Sequence, residues 1–247
     1  PEAGREGSQK ENWRNNAYIL GYGESNISNA DITIGAGGML VQGATGDGTQ
    51  EDDKHSMTLT NSYVNVAKDG MMKSTNGSDF ALNDTTIDLA GRIEGIVKNA
   101  EVAVTFNGDE EQEEAAKGGI INVTSADAYI QQIDSLDELN IKTDTSASEL
   151  LGGKANVTDM NIASGNTFTL DQAEEEPALL TASNMNVDGI LKLADGAEKG
   201  TGYAVANTNV NNGGTLDVGT NSYNSNVTMN EGSTLSLTIA AGENSIV

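Results

Sequence analysis

Among 37 acidic residues, the densest group able to do chemistry is Asp47, Glu51, Asp52 and Asp53, inside the stretch Gly43–Ser56 (GATGDGTQEDDKHS). Carboxylates with nearby backbone carbonyls are the ligand set of calcium. Their spacing departs from the D-x-[DN]-x-[DN]-G loop, so calcium is one expectation for this group and a solvated acidic loop is the other. A transition-metal site has little to draw on, because the chain has no cysteine and a single histidine, His55. His55 lies in the same polar stretch, where a solvated loop residue is expected. Apart from calcium, no cofactor is called for.

Enzyme chemistry finds less support. Hydrolysis or lysis of a polysaccharide needs paired carboxylates, or a carboxylate-held metal with a basic residue, in a groove. Asp88 and Glu101 could pair between neighbouring strands, but with so many acids almost any pair can be drawn. The three arginines are Arg5, Arg14 and Arg92, and ten aromatic side chains are few to line a sugar groove. Neither a G-x-S-x-G nucleophile motif nor a phosphate-binding loop occurs. The expectation is a protein that is not an enzyme.

The elements that must carry these residues follow from composition. Glycine is frequent at 29 residues, proline is nearly absent at 2, and Asn, Thr, Ser and Asp separate single Val, Ile, Leu and Met residues. That mixture suits short strands and turns. A net charge of −24 excludes nucleic acid, which needs a basic face, and an anionic membrane surface. It favours solubility and repulsion between copies. No run of 18 apolar residues exists, so membrane insertion by a helix is not expected. The polar opening PEAGREGSQKENWRNN does not read as a signal peptide.

One pattern recurs, an apolar residue followed by apolar residues five and seven places on. It reads I-S-N-A-D-I-T-I from Ile27, L-T-N-S-Y-V-N-V from Leu59, L-N-D-T-T-I-D-L from Leu82 and V-K-N-A-E-V-A-V from Val97. Further copies start at Ala116, Leu136, Val157, Leu180 and Val205, on average about 22 residues apart. Most copies are followed by a second apolar pair led by glycine, as in Gly70-Met71-Met72, Gly91-Arg92-Ile93 and Gly214-Thr215-Leu216-Asp217-Val218. Offsets of two are strand periodicity, and the glycine supplies freedom for a corner. A unit this short cannot bury enough alone and must stack on copies of itself. The expected fold is therefore all-β, a right-handed parallel β-helix solenoid of about ten coils over residues 27–247. Ser125–Leu139 could be helical, but Leu136 and Ile141 keep it in register as strand. The central expectation is that Ile32, Val64, Ile87, Val102, Ile121 and Ile141 stack in one inward column.

The runs V-N-N-G-G-T-L-D-V from Val210 and V-T-M-N-E-G-S-T-L-S-L from Val227 resemble the passenger regions of bacterial autotransporter adhesins. The resemblance covers residues from about 27 to 247 and is clearest from Val205 on. It implies secretion through an outer-membrane barrel and display on the bacterial cell surface, or release. It also implies a host or surface protein or glycan as partner. The chain stops at Val247 without a barrel-like segment, which reads as a fragment, a processed passenger or a relative exported otherwise. Self-association as a structural surface protein is the alternative, and a carbohydrate-active enzyme comes third. Residues 1–26, with the only tryptophan, Trp13, read as an N-terminal cap or a flexible tail. Insertions at 43–56, Asp109–Glu114, Glu174–Pro177 and Asp195–Gly202 leave as loops, and loops on one face of such a fold often bind.

Overall fold

A computed structural model describes residues 18–43, 53–100, 106–107, 110–111, 118–171, 179–194 and 202–238. These are all-β, with one four-residue helix, Ala147–Leu150, and long runs of parallel pairing. Sixteen of the strands fall into three stacks, set by where each apolar residue must point.

The first stack holds Tyr18–Tyr22, Met39–Gly43, Met71–Ser74 and the first residues of Arg92–Asn99 and Tyr129–Ile141. Its register sets Ile19, Leu40, Met72, Ile93 and Ile130 level with one another, and a bridge to Leu151 extends it. The second stack begins with Ser25–Ser28, Ser56–Thr60 and Asp79–Asn83. It continues through the middle of the two long strands into Ala155–Ile162, Leu180–Val187 and Tyr203–Val210, placing Met57, Phe80, Val97, Ile133, Ala155, Leu180 and Tyr203 in line. The third stack starts with Asp31–Ile34, Tyr63–Val66, Thr85–Leu89 and Gly119–Val123. It takes in the C-terminal ends of the four longer strands and closes on Asn226–Met229. One sixteen-stranded sheet results, because Tyr129–Ile141 runs through all three stacks without a break. A separate five-stranded parallel sheet comprises Thr145–Ser146, Thr167–Leu170, Ile190–Leu193, Thr215–Gly219 and Thr234–Leu237.

The expected column is present with two corrections. Ile32, Val64, Ile87 and Ile121 are level, and the line continues through Leu139, Met160, Met185 and Thr208. Ile87 pairs directly with Ile121, so no rung fits between them. The copy beginning at Val97 is therefore not a member, and Val97 belongs to the second stack beside Phe80 and Ile133. Val102 lies outside the described residues. Ile141 is level with Val123, not Ile121.

That slip has a physical cause. In the early rungs the chain turns from second to third stack at Asn29, Asn61 and Asp84, all with positive φ, a conformation that Asn and Asp tolerate. Later rungs run through the corner as single strands of eight or thirteen residues, with two consecutive outward residues such as Thr158 and Asp159. Losing the turn shortens the interval by two. Ser125–Leu139 contains no helix, as expected, and Tyr129 opens the long strand. Parallel pairing already starts at Tyr18, ahead of the first repeat copy.

Several leading glycines serve another purpose than the one expected. Gly91, Gly189 and Gly214 are not among the positive-φ residues. A Cβ on Gly91 would sit 2.3 Å from the Gly70 carbonyl oxygen, and one on Gly214 2.1 Å from that of Val187. They are needed because one rung's backbone passes against the next.

The core is a continuous file of fully buried Leu, Ile, Val, Met and Phe. Each contributes roughly 1.5–3 kcal/mol on burial. Ile121→Ala is expected to destabilise the protein by about 2–5 kcal/mol through lost transfer energy and a cavity. Thr158→Ala, two strands over on the outer face, should change stability by less than about 0.5 kcal/mol. Denaturant unfolding of the two variants checks this, and equal effects would contradict the inward assignment of Ile121.

Candidate functional site

Of the proposed calcium ligands, Asp47, Glu51 and Asp52 lie outside the described residues. Asp53 is half-buried ahead of Ser56–Thr60. Among the described residues no three His, Cys, Asp or Glu side chains are grouped to hold a metal ion. His55 Nδ1 is 3.5 Å from the Glu24 carboxylate. Glu101 lies outside the described residues, so the Asp88–Glu101 pair has only one placed member. Asp88 itself serves in a polar network.

Three of the four insertions share one feature. Segments 44–52, 172–178 and 195–201 each immediately precede a second-stack strand, Ser56–Thr60, Leu180–Val187 and Tyr203–Val210. Because those strands lie in one parallel stack, the chain returns from all three insertions along a single edge. The acidic stretch around Asp109–Glu114 enters elsewhere, between the second and third stacks. Within it only a two-residue antiparallel pairing is described, Phe106–Asn107 with Glu110–Glu111.

A cavity of about 530 Å³ opens on the same edge. It exists because Asn226–Met229 pairs with the preceding strand only from Asn207 onward, leaving Tyr203–Ala206 unpaired on that side. Thr181, Ser183, Tyr203, Ala204, Asn224 and Asn226 line it, all uncharged. Tyr223 supports it from the core side. Its ring centroid is 5.8 Å from that of Tyr203, and its hydroxyl is 2.7 Å from Thr208 Oγ1. Burial pushes the Tyr223 phenol up to about 12, so it stays a neutral hydrogen-bonding group. A lining of hydroxyls, amides and one aromatic ring suits a neutral polar ligand or an extended peptide.

Files of hydrogen-bonded asparagine run along the outward positions of the stacked strands. Asn122 donates to Asp88 Oδ1 at 2.7 Å. Asn140 donates to Asn122, Asn161 to Asn140, Asn186 to Asn161 and Asn209 to Asn186, at 2.7–3.1 Å. A second file, Asp159–Asn184–Asn207–Asn226, reaches the cavity itself, and a short third one is Asp188–Asn211–Asn230. Every file starts on an aspartate. A carboxylate only accepts, so it ends a file whose members each donate backward along the stack and accept from the next rung. The signal was present in the repeats as the Asn between two inward residues in I-N-V, L-N-I, M-N-I, M-N-V and T-N-V.

Asp88 also accepts the Tyr63 hydroxyl at 2.5 Å. That hydrogen bond, with lesser help from burial and the Asp88 charge, holds the Tyr63 phenol above its ordinary 10.0. A phenol raised in the fold adds stability that is whole below its unfolded value and is lost as pH rises through the folded one.

Asn161→Ala is expected to cost about 1–2 kcal/mol, since it strands the Asn140 acceptor and the Asn186 donor. Asn161→Asp should cost more at neutral pH, where its carboxylate faces the Asn140 carbonyl oxygen, and recover as acid restores a proton to donate. Stability measured against pH for both variants checks the direction, and a flat profile for Asn161→Asp would show that the file carries no polarity. No family model, no curated protein and no solved structure matches the chain.

Proposed function

We propose that the chain winds as a right-handed parallel β-helix of about ten coils and acts as a non-enzymatic binding and display scaffold, secreted or held on a bacterial cell surface. In this reading it behaves like an autotransporter adhesin passenger, and its partner is a host or surface protein or glycan. The observation that carries the reading is the single edge to which three insertions return, next to an uncharged cavity and backed by an in-register core. A rigid rod with loops along one side can make several weak contacts together, and such contacts multiply in avidity. The right hand is the usual one for parallel strands joined by crossovers. Stacked coils at about 4.8 Å would give a rod on the order of 50 Å long. The high negative charge disfavours nucleic acid and anionic lipid as partners.

A second reading, a self-associating structural surface protein, is favoured by one observation. Val227, Met229, Leu235 and Leu237 at one end of the described strands are exposed, as are Ile19, Leu20 and Tyr22 at the other. Uncovered strand edges with apolar side chains invite further pairing.

The deciding experiment compares the intact chain with one in which residues 44–52 and 195–201 are replaced by short Gly-Ser turns. Both are applied to an immobilised glycan panel and to immobilised host-cell surface proteins, with and without chelator. The proposal expects saturable binding by the intact chain, at least tenfold weaker binding after loop replacement, and a melting temperature that neither change moves. Equal binding by both chains, or none by either, would overturn it. Mass rising with concentration in light scattering, without ligand binding, would select the second reading. A melting temperature lowered by chelator would revive calcium at Asp47, Glu51, Asp52 and Asp53.

A further inference from the structure

The second stack stops one rung before its neighbours. Asn226–Met229 continues the third stack and Thr234–Leu237 the five-stranded sheet, but among the described residues no strand lies on Tyr203–Ala206. The residues due at that place explain the gap. In the three preceding rungs the inward residue that opens the strand stands four places before the corner. These are Ala155 before Asp159, Leu180 before Asn184 and Tyr203 before Asn207. Asn226 is level with Asn207, so Ser222 would fall at the level of Tyr203 and Asn224 at that of Val205. Leu180, Ala182, Tyr203 and Val205 are all buried at these levels. A serine and an asparagine there would lose their water, at roughly 1–3 kcal/mol each where no partner replaces it. The segment leaves the ladder instead, and Tyr223 alone turns in, its hydroxyl on Thr208 Oγ1.

The strand left at the edge carries unanswered backbone groups. Leu180 N–H donates to the Gly202 carbonyl oxygen at 3.3 Å. Backbone groups alternate in direction along a strand, so those of Ala204 also face Leu180–Val187, and those of Tyr203 and Val205 face the cavity. Tyr203 and Val205 are only 5% and 4% exposed, yet among the described residues no strand pairs with these groups. Backbone N–H and C=O groups inside a fold are nearly always paired.

We propose that this edge captures an extended peptide segment of a partner protein, which adds as a strand to Tyr203 and Val205. The inference rests on the binding-scaffold reading and names the ligand class of its cavity. A row of alternating backbone donors and acceptors is matched by another extended backbone, and strand addition at an open edge is a general mode of peptide recognition. The cavity of about 530 Å³ falls within the roughly 300–1,000 Å³ of ligand pockets. Tyr223 already stands beside Tyr203 on the core side, so the peptide residue that turns inward has to be small. The lining is uncharged in a chain of net charge −24, which favours a peptide with basic residues flanking the paired part.

The probe is a fluorescein-labelled, amidated heptapeptide, Lys-Val-Ala-Val-Ala-Val-Lys, titrated into the full chain. Saturable binding is expected. Methylating alternate backbone amides of the peptide gives two sets, of which one should bind at least tenfold more weakly and the other nearly as before. The absence of cysteine allows the position to be checked as well. Asn224→Cys puts a thiol on the cavity lining, where a peptide with a central cysteine should form a mixed disulfide in glutathione buffer. Ser164→Cys, exposed at a turn after the third stack, should react little. No saturable binding, equal loss from both methylated sets, or equal cross-linking of the two cysteine variants would overturn the proposal. Peptide binding that falls as the chain's own concentration and mass in light scattering rise would give the edge to a second copy, and overturn it too. The insertions take no part in this assay. Loop-dependent binding to the glycan and protein panels can therefore fail while peptide capture stands, and the reverse.

Discussion

Parallel pairing between equivalent strands sets each inward side chain level with its counterpart about 4.8 Å away, and most other features follow from that register. A line such as Ile87–Ile121–Leu139–Met160–Met185 is buried only because every member has a neighbour above and below. Removing one rung would expose two. The end residues show the consequence, since Ile19 and Leu235 have the same character as core residues and remain in water. The short interval between rungs also explains the glycines at positions 91, 189 and 214, where there is no room for a side chain against the carbonyl of the preceding rung.

The same register organises the polar face. Asparagine recurs at one outward position, so its amide meets an identical amide one rung away, and repeated donation in one direction builds a file. Such a file needs an acceptor at its origin, and Asp88, Asp159 and Asp188 fill that place. Some of the acidic residues are thus structural partners. Others crowd the insertions in the sequence, among them Asp47, Glu51 and Asp52.

Strand periodicity and repeat spacing were legible in the sequence because burial demands them. The offsets of five and seven bring Ile32, Val64, Ile87 and Ile121 to one level, and the register at Leu136 marks Tyr129–Ile141 as strand. The slip at Ile141 and the false copy at Val97 were not legible. Both depend on whether the chain turns at an Asn or Asp of positive φ or runs straight through the corner, and an apolar offset pattern carries no trace of that choice. The cavity at Tyr203–Ala206 was equally hidden, since it arises from a strand that starts late. The asparagine files leave a trace in the sequence, the Asn between two inward residues, but an apolar offset pattern does not include it. Of the predicted calcium group only Asp53 is placed, and it stands in no cluster of metal-binding side chains among the described residues.

A functional account built on a display rod requires the rungs to be in the order described. The sharpest test is at Thr86, which pairs with Ile120, whereas the simple repeat reading would set it beside Glu101. Parallel partners lie within the roughly 4.4–6.8 Å Cα separation that a disulfide tolerates. The cysteine-free chain lets Thr86→Cys be combined with Ile120→Cys in one variant and with Glu101→Cys in another. Mild oxidation followed by mass spectrometry should find rapid, complete cross-linking in the first variant and little in the second. Efficient cross-linking in the Glu101 variant, with none at Ile120, would place an extra rung between Ile87 and Ile121 and contradict the register on which the whole description stands.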